Sequence, residues 1–447
     1  MKDYKFVHFV GIGGISMSGI AKVLLNKGVR VSGSDRSESS VIDELRQLGA
    51  EVSVGHSADN ITNQDLVVYT AAASGDNPEL VCAAEKGIEV VDRATILGWI
   101  MQDYANAVSV AGTHGKTTTT SMMTYIMMKA MLDPTVMVGG NLDIIDGNFR
   151  MGDSDYFVTE TCEYCRSFLK FNPKYAIILN VEEDHLDYYR DLEDIIDAFT
   201  DFAAIVPEDG CVVVPAQNEN AMRCLGKVRG KISTFGTSGA DYTAENIRYT
   251  EYGYPVFDVV HNGKVIVSPE LNVPGEHNVL NATACVACAD AMGIDMKYVK
   301  EGLAAFTGTK RRFEKKGFVN GALVIDDYAH HPTEIKATLD AVARVNHNKL
   351  WCIFQPHTYT RTYTLFDDFV SVLSQTPNVI VADIYAAREK DTGLVSSKQL
   401  ADKISGAVFM KEFAEIESYI RANAAEGDIV LTVGAGNVVD IADNLVK

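Results

Sequence analysis

The chain has 447 residues, 47% of them hydrophobic, with 40 Lys+Arg against 60 Asp+Glu and a formal net charge of −20. At roughly 100–200 residues per domain, this length predicts two to four domains, and the apolar share excludes a disordered chain. The acidic balance argues against nucleic acid, whose binding needs many cations to neutralise phosphates, and against anchoring on anionic lipid. Any anionic ligand must therefore be held by local groups. No run approaches the ~18 apolar residues of a membrane helix, and MKDYKFVHFVGIGG reads as a strand entering a glycine turn, not as a signal peptide. Eight cysteines in so long a chain make no disulfide scaffold. These features predict a cytoplasmic protein without membrane insertion.

Along the chain, three apolar runs end in glycine-rich turns followed by helical periodicity: FVHFVGIGGISMSGIAKVL (6–24), AVSVAGTHGKTTTTSMM (107–123) and DIVLTVGAGNVVDIADNL (428–445). Such strand–turn–helix units build parallel α/β sheets. Further strands are predicted at 29–35, 65–72, 175–181, 322–328, 349–354 and 378–385, with helices between most of them. The stretch 241–273 alternates like β-hairpins and reads as an antiparallel addition to the middle of the chain. The fold class is α/β in three domains, 1–104, 105–308 and 309–447. Charge divides unevenly among them, with 28 acidic and 15 basic residues in the middle stretch.

The first turn, Gly11-Ile12-Gly13-Gly14, departs from G-x-G-x-x-G because the third glycine comes late, at Gly19. Asp35 closes the second strand where dinucleotide enzymes hold a ribose. A diphosphate on a helix N-terminus satisfies this turn, whether from NAD, FAD or a UDP-sugar, so a dinucleotide oxidoreductase is one reading of the segment.

The second turn carries more information. Gly112-Thr113-His114-Gly115-Lys116-Thr117-Thr118 lies between a strand and a helix, as a phosphate loop must. Glycines let backbone N–H groups curl around phosphate oxygens; Lys116 would reach the β/γ-phosphates and Thr117 would ligate Mg²⁺. Only two residues separate its glycines, so the loop is shorter than the standard one. Glu160 ends a predicted strand, and Glu182, Glu183, Asp184, His185 and Asp187 follow another, on the sheet edge where the loop also lies. Glu160 and His185 are candidate metal ligands.

In PGEHNVLNA (274–282), His277, Asn278 and Asn281 share a helix face that suits an adenine edge. Thr309-Lys310-Arg311-Arg312-Phe313 opens the last stretch with three cations, a place from which arginines can close on phosphate. Two CxxC pairs occur, Cys162/Cys165 and Cys285/Cys288, too far apart for a zinc motif; the second lies in an Ala-rich helix and reads as core.

With these motifs in order, the chain resembles the Mur ligases, through GIGGISMSGIA (11–21), AGTHGKTTTT (111–120), the Glu160 segment, NVEEDHLDYY (180–189), PGEHNVLNA (274–282), GTKRRFE (308–314), DDYAHHPTE (326–334) and FQPHTYTRT (354–362). The first turn and the HHP segment point to the member that joins L-alanine to UDP-N-acetylmuramate with ATP. The resemblance implies a Rossmann-like N-terminal domain for the UDP-sugar, a P-loop ATPase domain, and a Rossmann-like C-terminal domain that brings the amino acid. It implies an acyl-phosphate intermediate, with Lys116 on the phosphates, Thr117 and Glu160 on one Mg²⁺ and His185 on a second. Gly112–Thr118, His277, Asn278, Asn281 and Arg312 would bind ATP, and Gly11, Gly13, Gly14 and Asp35 the UDP-sugar. Tyr328, His330 and Arg361 would hold L-alanine, with His330 also a proton acceptor, Asp327 an acid near the nucleotide and His331 structural. The expected state is a monomer or a weak homodimer. Some relatives have Asp where this chain has Cys162 and Cys165, and Arg where it has Thr358. A ligase that joins a whole tripeptide to the same sugar nucleotide is the alternative within the family. Outside it, the alternatives are a dinucleotide-binding oxidoreductase and a non-catalytic nucleotide-binding switch.

Overall fold

The computed structural model describes residues 4–70, 72–186, 188–250, 253–387 and 389–447, with the Ile15 side chain outside that description. It forms two compact units, residues 1–245 with 258–267 and 280–303, and residues 246–257 with 268–279 and 304–447.

The first unit holds a sheet of five parallel strands in the order Glu51–Val54, Arg30–Asp35, Phe6–Val10, Leu66–Tyr69, Glu89–Asp92. FVHFV is buried at every position, as expected for a strand covered by helices on both faces. Strand order reverses at Phe6–Val10, so the turn after it opens at the switch point where such sheets bind ligands. Gly19 explains its late position: a Cβ there would lie 3.2 Å from the Phe149 ring and 3.3 Å from Met137 Cε. The glycine lets the helix Ile15–Asn26 press against the strands Thr135–Leu142 and Gly147–Arg150 of the second sheet. One hydrophobic core accordingly runs from Phe9 and Ile20 to Phe157 and Phe199.

The second sheet has ten strands, and its centre places Tyr175–Ile178, Asn106–Ala111 and Tyr156–Glu160 side by side in parallel. Val110 is level with Glu160 and Ala111 with Ile178, so three neighbouring strands end at one edge. The expected antiparallel addition lies at one end of this sheet. Pro255–His261 and Lys264–Val267 do form a hairpin, with a bulge at Val259/Val260. Tyr242–Tyr249 joins Lys231–Gly236 in parallel at Phe235 and Gly236, and the Asp241 carboxylate accepts from Thr234 N and Oγ1 at 2.8 and 2.9 Å beside that junction.

The second unit carries a six-stranded sheet in the order Glu314–Val319, Ala322–Asp327, Ile429–Val433, Leu350–Phe354, Val379–Val381, Val408–Phe409. Only the first pair is antiparallel. Hydrophobic clusters cover both faces, one with Ile325, Phe354 and Phe369, the other with Val324, Ile353 and Val430. The expected strand at 378–385 is confined to Val379–Val381.

Candidate functional site

Gly112 and Gly115 take φ of +138° and +85°, conformations that favour glycine. Close approach excludes a side chain as well: a Cβ on Gly112 would lie 3.1 Å from Leu179 N, and one on Gly115 would lie 3.0 Å from Asn281 Oδ1. Gly115 caps the helix Lys116–Lys129 without a side-chain partner, leaving a helix N-terminus that suits an anion. Asn180, two residues past the strand Tyr175–Ile178, fixes the loop. Its Oδ1 accepts from His114 N at 2.8 Å, its Nδ2 donates to His114 O at 3.2 Å, and its carbonyl accepts from Thr113 N at 3.3 Å.

Lys116, Thr117, Glu160 and His185 come together at this edge. The Thr117 hydroxyl donates to Glu160 Oε2 at 2.6 Å. The pair offers two hard oxygen donors, the chemistry Mg²⁺ takes. Lys116 Nζ donates to the Gly112 carbonyl, to Thr113 O at 3.1 Å, and to Glu163 Oε1 and Oε2 at 3.2 and 3.1 Å. Burial alone would lower the Lys116 pKa; the Glu163 carboxylate, with Glu160 nearby, reverses this and leaves it above its ordinary value. His185 Nε2 lies 3.7 Å from Glu163 Oε1 and 3.8 Å from Asp184 Oδ2, and its ring packs on Tyr164 at 4.8 Å. Glu182 lies 3.5 Å from His114 Nε2. Asp187 lies outside the described residues.

At the first turn, Gly11 and Ile12 both donate to the Ser34 carbonyl, at 2.8 and 3.0 Å. Gly14 caps the following helix with no side-chain partner. Asp35, expected near a ribose, accepts from Gly13 N at 2.9 Å and braces the turn from below.

Asn278 is buried and donates to the Pro274 carbonyl at 2.7 Å, while His277 is exposed. In the second unit, Arg312 lies over the Tyr328 ring at 5.2 Å and 3.9 Å from Glu334 Oε1. Asp327 is buried and accepts from Ala329 N at 2.8 Å and Phe313 N at 2.7 Å. Burial pushes its pKa up to about 6 against the pull of Arg312. His330 Nδ1 lies 3.0 Å from Tyr328 O and 3.4 Å from Glu334 Oε2. Burial lowers its pKa, which keeps the imidazole neutral and able to accept a proton. His331 caps the helix Pro332–Ala343, accepting from Thr333 N at 3.4 Å. Arg361 donates to His357 Nδ1 at 3.2 Å, and Thr358, at φ +66°, precedes the helix Tyr359–Thr364 that carries it.

Sequence reasoning missed Glu163, Asn180 and Arg93. Glu163 follows Glu160 by three residues between two cysteines, a spacing without a phosphate-loop signature. Asn180 is the first polar residue after the YAIIL run. Arg93 begins a helix directly after the last strand of the first sheet and donates to Ser16 Oγ at 2.9 Å. It also lies near the Cys162 thiol, whose pKa burial pushes up to about 11 despite Lys116 and Arg93. That thiol is protonated at neutral pH, and Cys165 is exposed. Cys285 and Cys288 are fully buried in a helix, as core residues.

Residues 6–105 match the sequence profile of the Mur ligase family catalytic domain, 110–289 that of the Mur ligase middle domain, and 311–436 that of the Mur ligase glutamate ligase domain. A UDP-N-acetylmuramate–L-alanine ligase of Clostridium botulinum (strain Langeland) is 49% identical over 443 residues, covering 98% of this chain and 97% of that one. The enzyme of that name from Clostridium tetani is 50% identical over 451 residues, covering 100% and 99%. Among solved structures, the UDP-N-acetylmuramate-alanine ligase of Thermotoga maritima superposes with a TM-score of 0.83 at 33% identity, covering 99% of this chain and 98% of that one. A murein peptide ligase of Psychrobacter arcticus gives 0.71 at 26%, covering 99% and 100%. This chain belongs to the Mur ligase family.

Proposed function

We propose that the chain is an ATP-dependent ligase that joins L-alanine to the lactyl carboxylate of UDP-N-acetylmuramate, a step of peptidoglycan synthesis. The observation that carries this reading is the phosphate loop, with Lys116 and the Thr117–Glu160 pair, in a chain half identical to relatives named for that reaction. The carboxylate oxygen attacks the γ-phosphorus of ATP and ADP leaves. The alanine amine then attacks the acyl-phosphate carbon, loses a proton, and phosphate departs.

Both steps crowd anions together, so positioning and charge neutralisation carry the catalysis. Loop amides and Lys116 bind the β/γ-phosphates, and Asn281, beside Gly115, lies where the nucleoside end follows. Thr117 and Glu160 would hold Mg²⁺, which neutralises phosphate charge when bound; His185 is the candidate for a second ion. Gly11, Gly13 and Gly14 offer the sugar nucleotide's diphosphate a helix N-terminus. On the second unit, Arg312 and Asp327 serve the phosphate side, Tyr328 and Arg361 hold the amino acid, and neutral His330 accepts the amine proton. The three parts 1–104, 105–308 and 309–447 thus bind the sugar nucleotide, activate it and supply the amine. Among the described residues no helix is long and apolar enough to cross a membrane; the reading itself implies a cytoplasmic monomer or weak homodimer.

Phosphate release measured with UDP-N-acetylmuramate, ATP, Mg²⁺ and a panel of amino acids tests the reading. Turnover with L-alanine is expected. Turnover with the tripeptide alone would reassign the chain to the recycling ligase.

A further inference from the structure

Lys116 has three N–H donors, and its ammonium is already surrounded by the carbonyls of Gly112 and Thr113 and both oxygens of Glu163. A phosphate can reach it only by displacing one of these partners. Two are backbone carbonyls of the loop itself. The third, Glu163, is 3% exposed and carries a formal charge.

Glu163 is fixed in place from both sides. The Tyr189 hydroxyl donates to its carbonyl, and Tyr189 is itself buried. Two and three residues after it, Cys165 and Arg166 adopt φ of +54° and +52°, and Arg166 is anchored on Asp194 Oδ1 at 2.6 Å. The carboxylate therefore stays beside the phosphate loop when a nucleotide arrives. A fixed, buried anion next to the site of a triphosphate opposes binding unless a cation stands between them.

We propose that Glu163 is a positioning residue that holds the Lys116 ammonium at the phosphate loop and competes with the ATP phosphates for it. The proposal rests on the ATP-dependent reading above. In it, Glu163 weakens the grip on free ATP and steadies the lysine laterally once the γ-phosphoryl group begins to move. Nucleotide without a counter-cation is thereby disfavoured, and Lys116 keeps a defined aim during transfer.

The test is equilibrium binding of ATP to the full chain in excess EDTA, followed by ligation kinetics with Mg²⁺. Glu163→Gln keeps the shape and removes the charge. It is expected to bind metal-free ATP about five- to tenfold more tightly, the size of one competing charge contact. Its kcat should fall about tenfold while the KM for ATP does not rise. A residue with a merely structural role would weaken binding and raise KM. Unchanged or weaker metal-free binding by a variant whose thermal unfolding matches the parent overturns the proposal. Should Glu163→Gln not fold, Glu163→Asp retains the charge but draws it back from Lys116. It should tighten metal-free ATP binding about two- to threefold, and no tightening there overturns the proposal equally. If the parent chain fails to ligate L-alanine, the proposed function falls, while the ATP-affinity comparison still decides the role of Glu163.

Discussion

Asp327 receives the N–H groups of Phe313 and Ala329 on its two oxygens, yet burial pushes its pKa up to about 6. In the unfolded chain it would ionise near 3.8. A raised carboxyl favours the folded state below the unfolded pKa and loses that contribution as pH rises through the folded one. Parent stability relative to Asp327→Asn, which does not titrate, should therefore fall between about pH 4 and pH 6, read as the difference in urea midpoints; a pH-independent difference would contradict the assignment. Lys116 tests the chemistry at the same scale. Lys116→Ala should lower ligation about 100-fold or more and should also lower the melting temperature, because it leaves the buried Glu163 carboxylate without its cation. A variant that still ligates at a tenth of the parental rate would remove Lys116 from the phosphoryl-transfer step.

Elements matter here through what they bring together. The helix Pro78–Glu85 buries Glu79 against three other segments. Burial would raise its pKa, but His8 at 3.7 Å, Ser34 at 2.6 Å and Asn60 at 2.6 Å hold it down to about 2, and His56 Nδ1 lies 3.1 Å from the same carboxylate. Ser34 is the residue whose carbonyl receives Gly11 and Ile12, so this network underlies the first turn. A depressed carboxylate stabilises above its unfolded pKa of 4.5 and loses that contribution as pH falls towards 2. Thermal melting of Glu79→Gln should be flatter than the parent across that acid range; equal slopes would count against the network. Helix packing gives a second check. A Cβ on Gly302 would lie 2.5 Å from Ile126 Cα, so Gly302→Ala should destabilise by about 2 kcal/mol or more, seen as a lowered melting temperature with the activity of folded protein retained. The phosphate loop was legible because its seven residues are contiguous and flanked by a strand and a helix. Glu163 was not, because its pairing with Lys116 depends on two parallel strands ending side by side, and one acid among 60 carries no local signature. Gly19 looked like a misplaced motif glycine; its reason lies in Phe149 and Met137, which no local pattern reveals. The third sheet's inner strands were visible as apolar runs, whereas its edges, the half-exposed Glu314–Val319 and the two-residue Val408–Phe409, carry no such run.

Over the whole molecule, a net charge of −20 coexists with two glycine turns proposed to hold anions. The excess acid of the middle stretch is in part tied up on the surface, as in Lys227–Asp201 and Arg223–Glu193. Glu160, Glu163 and Glu182 instead gather round the phosphate loop. An acidic centre beside a phosphate site demands cations, so chelation with EDTA should abolish phosphate release and Mg²⁺ should restore it; turnover undiminished by EDTA would contradict the Thr117–Glu160 assignment. The central claim is tested most directly by identifying the product made from UDP-N-acetylmuramate, ATP, Mg²⁺ and L-alanine by mass spectrometry, alongside phosphate release. The account predicts one UDP-N-acetylmuramoyl-L-alanine formed per phosphate. Phosphate release without that product, or a product only when the tripeptide replaces L-alanine, would contradict it.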